Sequence, residues 1–115
     1  MKKVYHLGKC STCQRILTDL NWEDEKQEIR SEKITPEQMD EMAQLAGSYE
    51  ALFSRRAIKY KALGLKEQSL TEQDYRQLIL EEDTFLKRPV FLINQQIFIG
   101  NTKKVVETVQ IALNE

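Results

Sequence analysis

The chain is 115 residues long, 41% hydrophobic and 30% charged, with 17 basic against 18 acidic side chains and a net charge of −1. That length fits a single domain burying about two-thirds of its unfolded surface, and the apolar content excludes general disorder. The near-neutral charge gives no general attraction to nucleic acid or to an anionic membrane, and no apolar stretch approaches the about 18 residues of a spanning helix.

In chain order, Lys3 to Leu7 predicts a strand, followed by a helix over Ser11 to Leu20 with Ser11 as its N-cap. Met1-Lys2-Lys3 runs into that strand rather than into the apolar segment of a signal peptide, so the expected location is cytoplasmic. Lys26 to Ile29 is a short, polar strand candidate. Thr35, Pro36 and Gln38 supply an N-cap, a first-position proline and a capping box, so a helix should run to about Leu45 before Gly47. Ser48 to Lys66 reads as short helical segments ending at Gly64. Thr71 starts another helix, with Tyr75, Leu78, Ile79 and Glu82 on one face.

After Arg88, Pro89 to Ile93 is an apolar run suited to a buried strand, Asn94-Gln95-Gln96 a turn, and Ile97 to Ile99 the returning strand of a hairpin. Asn101 or Thr102 caps a last helix carrying Val105, Val106, Val109, Ala112 and Leu113. The series is expected to be one α/β domain over residues 1–115. It should hold a small mixed sheet of about four strands flanked by helices, with a helical insertion over about residues 35–83.

The chemistry concentrates at Cys10-Ser11-Thr12-Cys13, where strand becomes helix. A helix N-terminus offers unpaired N–H groups and a partial positive charge, both of which favour a thiolate over a thiol. A cysteine so placed can have its pKa lowered to about 3.5–7.5, and a second cysteine three residues on can close a disulfide. Cys13 shares the Ile16, Leu17 and Leu20 helix face and should look inward, whereas Cys10 lies at the cap. A buried cysteine by itself usually behaves as a small hydrophobe. The pairing with Cys10 instead suggests an attacking thiolate at Cys10 and a resolving thiol at Cys13. In a reducing cytosol such a pair is more often catalytic or redox-sensing than structural. Zinc is the other explanation of the spacing, but a closed site needs four ligands, and two cysteines with a single histidine, His6, do not supply them.

Charge is uneven along the chain. From Glu23 to Glu41 eight acids face three bases, whereas Arg55, Arg56, Lys59, Lys61 and Lys66 run without an acid from Ser54 to Lys66. A solvated helix face is the ordinary reading of such a run, and retention of a small anionic substrate is the functional one.

A strand, a cysteine turn, a helix and a later X-Pro opening a buried strand together resemble the thioredoxin fold. The resemblance implies a cis Arg88–Pro89 peptide in a loop facing the active cysteine, with Arg88 directed at Cys10. Tyr5-His6-Leu7-Gly8-Lys9-Cys10-Ser11-Thr12-Cys13-Gln14-Arg15, Tyr60-Lys61-Ala62-Leu63-Gly64-Leu65, and Lys87-Arg88-Pro89-Val90 with Ile99-Gly100 resemble the arsenate reductase (ArsC) and Spx family. His6 then matches a histidine four residues before the catalytic cysteine, and Cys10 with Cys13 matches the Cys-x-x-Cys switch of the Spx branch. Of three arginines that hold the oxyanion in the family's arsenate reductases, Arg88 matches. The last position is Asn101, and the middle one Ser54, beside Arg55 and Arg56.

What the resemblance implies is a thiol–disulfide oxidoreductase. Cys10 and Cys13 would act on an oxyanion such as arsenate or on a disulfide, with Arg88, Arg55, Arg56 and His6 at the anion and Pro89, Ser11 and Thr12 shaping the site. No bound cofactor is expected; glutathione, glutaredoxin or thioredoxin would be the reductant. The alternative is an Spx-like redox-sensing regulator that binds a partner such as RNA polymerase without turnover.

Overall fold

Strand β1 (Lys2–His6) is followed by helix α1 (Ser11–Asp19) and then by β2 (Glu25–Glu28), which lies parallel to β1 with Val4 opposite Lys26 and His6 opposite Glu28. The hairpin β3 (Val90–Ile93) and β4 (Gln96–Ile99) completes a four-stranded mixed sheet in the order β2-β1-β3-β4, with β3 antiparallel to both neighbours. Three helices lie in the middle of the chain, α2 (Pro36–Ala46), α3 (Ile58–Ala62) and α4 (Glu72–Glu81), and α5 (Lys103–Leu113) ends it. The computed structural model describes residues 1–115 throughout. No helix is long and apolar enough to cross a membrane.

The residues fall into two compact units, Met1–Lys33 with Arg88–Glu115, and Ile34–Lys87. In the first, Val4 and Phe91 face each other across the β1–β3 ladder. They pack with Ile16, Leu17, Leu20 and Trp22 from α1 and its exit, and with Val109 and Ala112 from α5. The Trp22 and Phe91 ring centroids are 5.4 Å apart in a tilted arrangement. Apolar positions at helical spacing on α1 and α5 meet alternate positions of the strands, which is why both helices bury one stripe against the sheet. The second unit centres on Phe53, whose ring stacks on Phe85 at 5.1 Å, meets Tyr60 edge-on and lies tilted against Tyr75.

Local signals set the ends of most elements. Thr35 caps α2 with a full capping box through Gln38, and Gly47 closes that helix at φ 96°. Thr71 caps α4 in the same way through Asp74, and Thr102, rather than Asn101, caps α5. The Ser48–Lys66 stretch forms a 3-10 turn at Glu50–Leu52, then α3, then a second 3-10 turn at Leu65–Glu67 entered through left-handed Gly64.

Several boundaries differ from the sequence expectation: β1 and β2 each begin and end one residue earlier than Lys3–Leu7 and Lys26–Ile29, α1 ends at Asp19 rather than Leu20, and β3 opens at Val90 rather than Pro89. The turn of the hairpin has two residues, Asn94 and Gln95 at φ 50° and 70°, and Gln96 already pairs with Ile93 in the ladder. Paired positive φ values match the right-handed twist of the strands, so the shorter turn closes the hairpin without splaying it. The N-cap of α1 is Cys10, not Ser11, which is the helix's first residue.

Candidate active site

Strand β1 delivers the chain to a tight turn, Leu7-Gly8-Lys9-Cys10, closed by a hydrogen bond from the Cys10 N–H to the Leu7 carbonyl at 3.0 Å. Cys10 leaves that turn with extended backbone and becomes the N-cap of α1, its Sγ accepting the Cys13 N–H at 3.4 Å. A hydroxyl at Ser11 sits one residue too late for this role, because the cap must precede the first helical residue. Ser11 is exposed and Thr12 half-buried on the first turn.

Both cysteines are free, Cys10 half-exposed and Cys13 fully buried at 0% exposure. Their acidities separate accordingly. Partial burial works against the Cys10 thiolate, but it is outweighed by the Cys13 N–H, the Cys13 thiol and the Arg88 guanidinium, which together lower the pKa. Cys13 is pushed up to about 12, first by burial and then by the neighbouring Cys10 sulfur, against the opposing pull of the Leu7 N–H and Arg88. The surroundings thus shift the Cys10 sulfur toward the thiolate and the Cys13 sulfur toward the thiol.

Arg88 reaches the site from the loop just before β3, through a cis Arg88–Pro89 peptide. Its side chain hydrogen-bonds the Cys10 sulfur and its charge acts on both cysteines. Pro89 is buried, and its carbonyl accepts the Gly100 N–H at 2.9 Å, tying the proline to the end of the hairpin.

His6 is only 8% exposed and lies behind the cysteine turn. The Gln14 side-chain amide reaches both the Leu7 carbonyl, at 3.1 Å, and His6 Nδ1, at 3.0 Å. A carbonyl can only accept, which assigns the Gln14 nitrogen, so His6 Nδ1 accepts in turn and the ring proton belongs on Nε2. Burial lowers the His6 pKa, Glu28 opposing and Lys26 assisting, in keeping with a neutral ring.

Arg55 and Arg56 belong to the second unit. Arg55 pairs with Glu50 at 2.7 Å, donates to the Tyr75 hydroxyl at 3.1 Å and lies over that ring. Arg56 is exposed, its backbone N–H on the Ser54 hydroxyl. Of the residues expected at the anion, Arg88 is the one held on the Cys10 sulfur.

Two residues at the site carried no role in the sequence. Gln14 holds the Leu7 carbonyl, and Glu28 at the end of β2 holds the Gly8 N–H at 2.6 Å. Gln14 sits one helical turn from Cys10, a spacing that points it back at the preceding loop. Glu28 gave no local signal, since its partner is twenty residues away. No group of three or more histidine, cysteine or acidic side chains comes together to hold a metal ion.

A turn carrying two cysteines beside a cis-proline loop on this sheet order has counterparts. The ArsC family model matches residues 5–109. The chain belongs to the ArsC family. Its fold is shared with an arsenate reductase from Vibrio cholerae, at 19% identity, TM-score 0.77 and 96% of each chain covered. It is also shared with an arsenate reductase (ArsC) related protein from Brucella melitensis, at 19% identity and TM-score 0.73, covering 93% of this chain and 92% of that one. An ArsC family related protein from Bacteroides fragilis is 23% identical at TM-score 0.77, covering 94% and 96%. No curated protein matches the chain. These neighbours place this ArsC family member on a thioredoxin-like α/β scaffold.

Proposed function

We propose that this ArsC family protein is a thiol–disulfide oxidoreductase in which Cys10 attacks and Cys13 resolves. The observation that carries the reading is the opposed preparation of two adjacent sulfurs. Cys10 is half-exposed with its thiolate favoured by the Cys13 N–H and Arg88, and Cys13 is buried with its proton retained.

With a disulfide substrate, the Cys10 thiolate forms a mixed disulfide with one sulfur and expels the other as a thiolate. The Cys10 charge is then gone, and with it the part of the Cys13 pKa elevation that the Cys10 anion causes. Cys13 loses its proton more readily and attacks Cys10, closing the intramolecular disulfide and releasing the second thiolate. With an oxyanion such as arsenate, Cys10 forms an As–S bond as water leaves, and attack by Cys13 on the Cys10 sulfur leaves the electron pair on arsenic, reducing it from As(V) to As(III). Two equivalents of glutathione, or a dithiol such as glutaredoxin or thioredoxin, would return the enzyme to the dithiol. Arg88 is the anion anchor, its planar fork suited to an oxyanion or to the carboxylate of a glutathione-like substrate. The disulfide reading asks less of the chain, since it needs no further arginine at the site.

The decisive experiment is turnover with glutathione as reductant, on hydroxyethyl disulfide and on arsenate, for the wild type and for Cys10→Ser and Cys13→Ser. Loss of turnover in Cys10→Ser, with a trapped mixed disulfide in Cys13→Ser, supports the mechanism. Undiminished turnover in both variants sinks it.

A second reading is favoured by the thiol-to-thiol contact itself, because a pair this close can store a disulfide without turning over. The protein would then be a redox-sensing regulator whose disulfide changes affinity for a partner such as RNA polymerase. Co-purification with RNA polymerase that depends on the oxidation state, without turnover on either substrate, would select it.

A further inference from the structure

Glu28 stands at the end of β2, in register with His6 on β1, and its two carboxylate oxygens take partners from two different segments. One oxygen accepts the Arg30 and Ser31 N–H groups at 3.1 and 2.7 Å, closing the turn that leaves β2. The other accepts the Gly8 N–H at 2.6 Å, inside the Leu7–Cys10 turn. The approach is close: a Cβ on Gly8 would lie 3.3 Å from the Glu28 Cγ. The same turn is held from its other side by Gln14 on the Leu7 carbonyl. Gly8 is two residues from Cys10, so whatever fixes the Gly8 peptide fixes the orientation in which Cys10 enters the helix.

The geometry points to Glu28 as a positioning residue that sets the reactivity of Cys10 by gripping the Gly8 N–H within the turn that presents the sulfur. The inference rests on reading Cys10 as the attacking thiolate. The cap bond to Cys13 and the bond to Arg88 both require the Cys10 sulfur at one place, and these short-range contacts weaken steeply as the angle opens. A turn free to rock about Gly8 would therefore surrender part of the thiolate's stabilisation. The carboxylate suits this position because it accepts on both oxygens at once, whereas a glutamine would turn an N–H toward one set of donors. The sign of the effect separates positioning from charge. Removing a nearby negative charge by itself favours a thiolate and lowers the Cys10 pKa; losing the grip raises it.

The test is the pH profile of iodoacetamide alkylation of Cys10 in the reduced full-length protein, with the modified cysteine read by peptide mass. Glu28→Asp keeps the charge and the local bonds to Arg30 and Ser31, a geometry that aspartate favours in turns, but is one methylene short of Gly8. Its Cys10 midpoint should rise by about half a pH unit or more, a threefold or greater loss of thiolate at pH values below the midpoint. Glu28→Gln should shift the same way despite losing a negative charge, and Glu25→Gln, which removes a charge elsewhere on β2, should leave the midpoint in place. Cooperative unfolding of each variant establishes that the fold is intact. An unchanged or lowered midpoint in a folded Glu28→Asp protein overturns the assignment, and if that variant does not fold, Glu28→Gln decides by the same sign. Wild-type Cys10 titrating like free cysteine would instead remove the functional reading, so the two failures are told apart.

Discussion

The Cys13 backbone N–H points at the Cys10 sulfur across 3.4 Å, so the residue read as the resolving thiol also donates a hydrogen bond to the one read as attacking. Cys13 thus supports the Cys10 sulfur through its main chain. A Cys13→Ser substitution keeps that N–H and offers a hydroxyl in place of the thiol, so Cys10 should stay reactive while resolution stops. In the presence of glutathione disulfide the variant should accumulate a glutathione adduct on Cys10, read by intact mass. The wild type should pass on to its internal disulfide.

Arg88 favours the Cys10 anion both by charge and by a direct hydrogen bond. Arg88→Ala should raise the midpoint of Cys10 alkylation and slow the reaction at pH 7 by about threefold to tenfold, since one pH unit is a factor of ten in thiolate. Arg88→Lys should recover part of the loss, because the charge remains and the fork does not. Alkylation rates of the three proteins at a series of pH values check this.

Acid should unfold the protein partly through Glu28. The Gly8 N–H first, and the Ser31 N–H next, hold this carboxylate well below its ordinary 4.5, at about 2. A carboxylate with a depressed folded pKa stabilises the fold fully above the unfolded value and loses that contribution as pH falls toward the folded one. The stability of the wild type should therefore decline between about pH 4.5 and 2 with a slope that Glu28→Gln removes in part. Urea unfolding across that range measures it.

His6 should be neutral at pH 7, with its proton on Nε2. Its pKa is lowered from 6.5 by burial. Protons bind the unfolded chain more readily than the folded one in this window, so the His6 contribution is complete above pH 6.5 and is lost as pH falls below it. Nitrogen NMR of the imidazole would reveal the tautomer, and a ring protonated at pH 7 would contradict the Gln14 contact that defines it.

Phe91 is fully buried between β1, α1 and α5. Phe91→Ala should cost about 3–5 kcal/mol, the range for deleting a buried aromatic ring. Thr35→Ala, which removes one side of a capping box on the surface, should cost only about 1 kcal/mol. Denaturant midpoints of the two variants should differ in that order.

Much of this was legible in the residues because the forces involved are local. The Thr35-Pro36-Gln38 box, the helix end before Gly47, a cap at Asn101 or Thr102 and the inward stripe of Cys13, Ile16, Leu17 and Leu20 involve neighbours within a turn or two, where spacing dictates geometry. The two-residue turn at Asn94–Gln95 escaped because neither residue is a glycine, and only the ladder between β3 and β4 shows where pairing resumes. The cap at Cys10 escaped because sulfur is a weak acceptor beside the hydroxyl of Ser11, and the choice was made by where β1 and its turn release the chain.

By itself, then, the order of residues determined the cysteine pair at the strand-to-helix turn, the helices and the family's scaffold. Folding decided which groups surround the pair. Arg88 meets Cys10 from seventy-eight residues away, and Glu28 meets Gly8 only because β2 pairs parallel to β1 and brings its last side chain beside the turn. Contacts of that kind depend on strand register and on the packing of distant segments, which no spacing along the chain records.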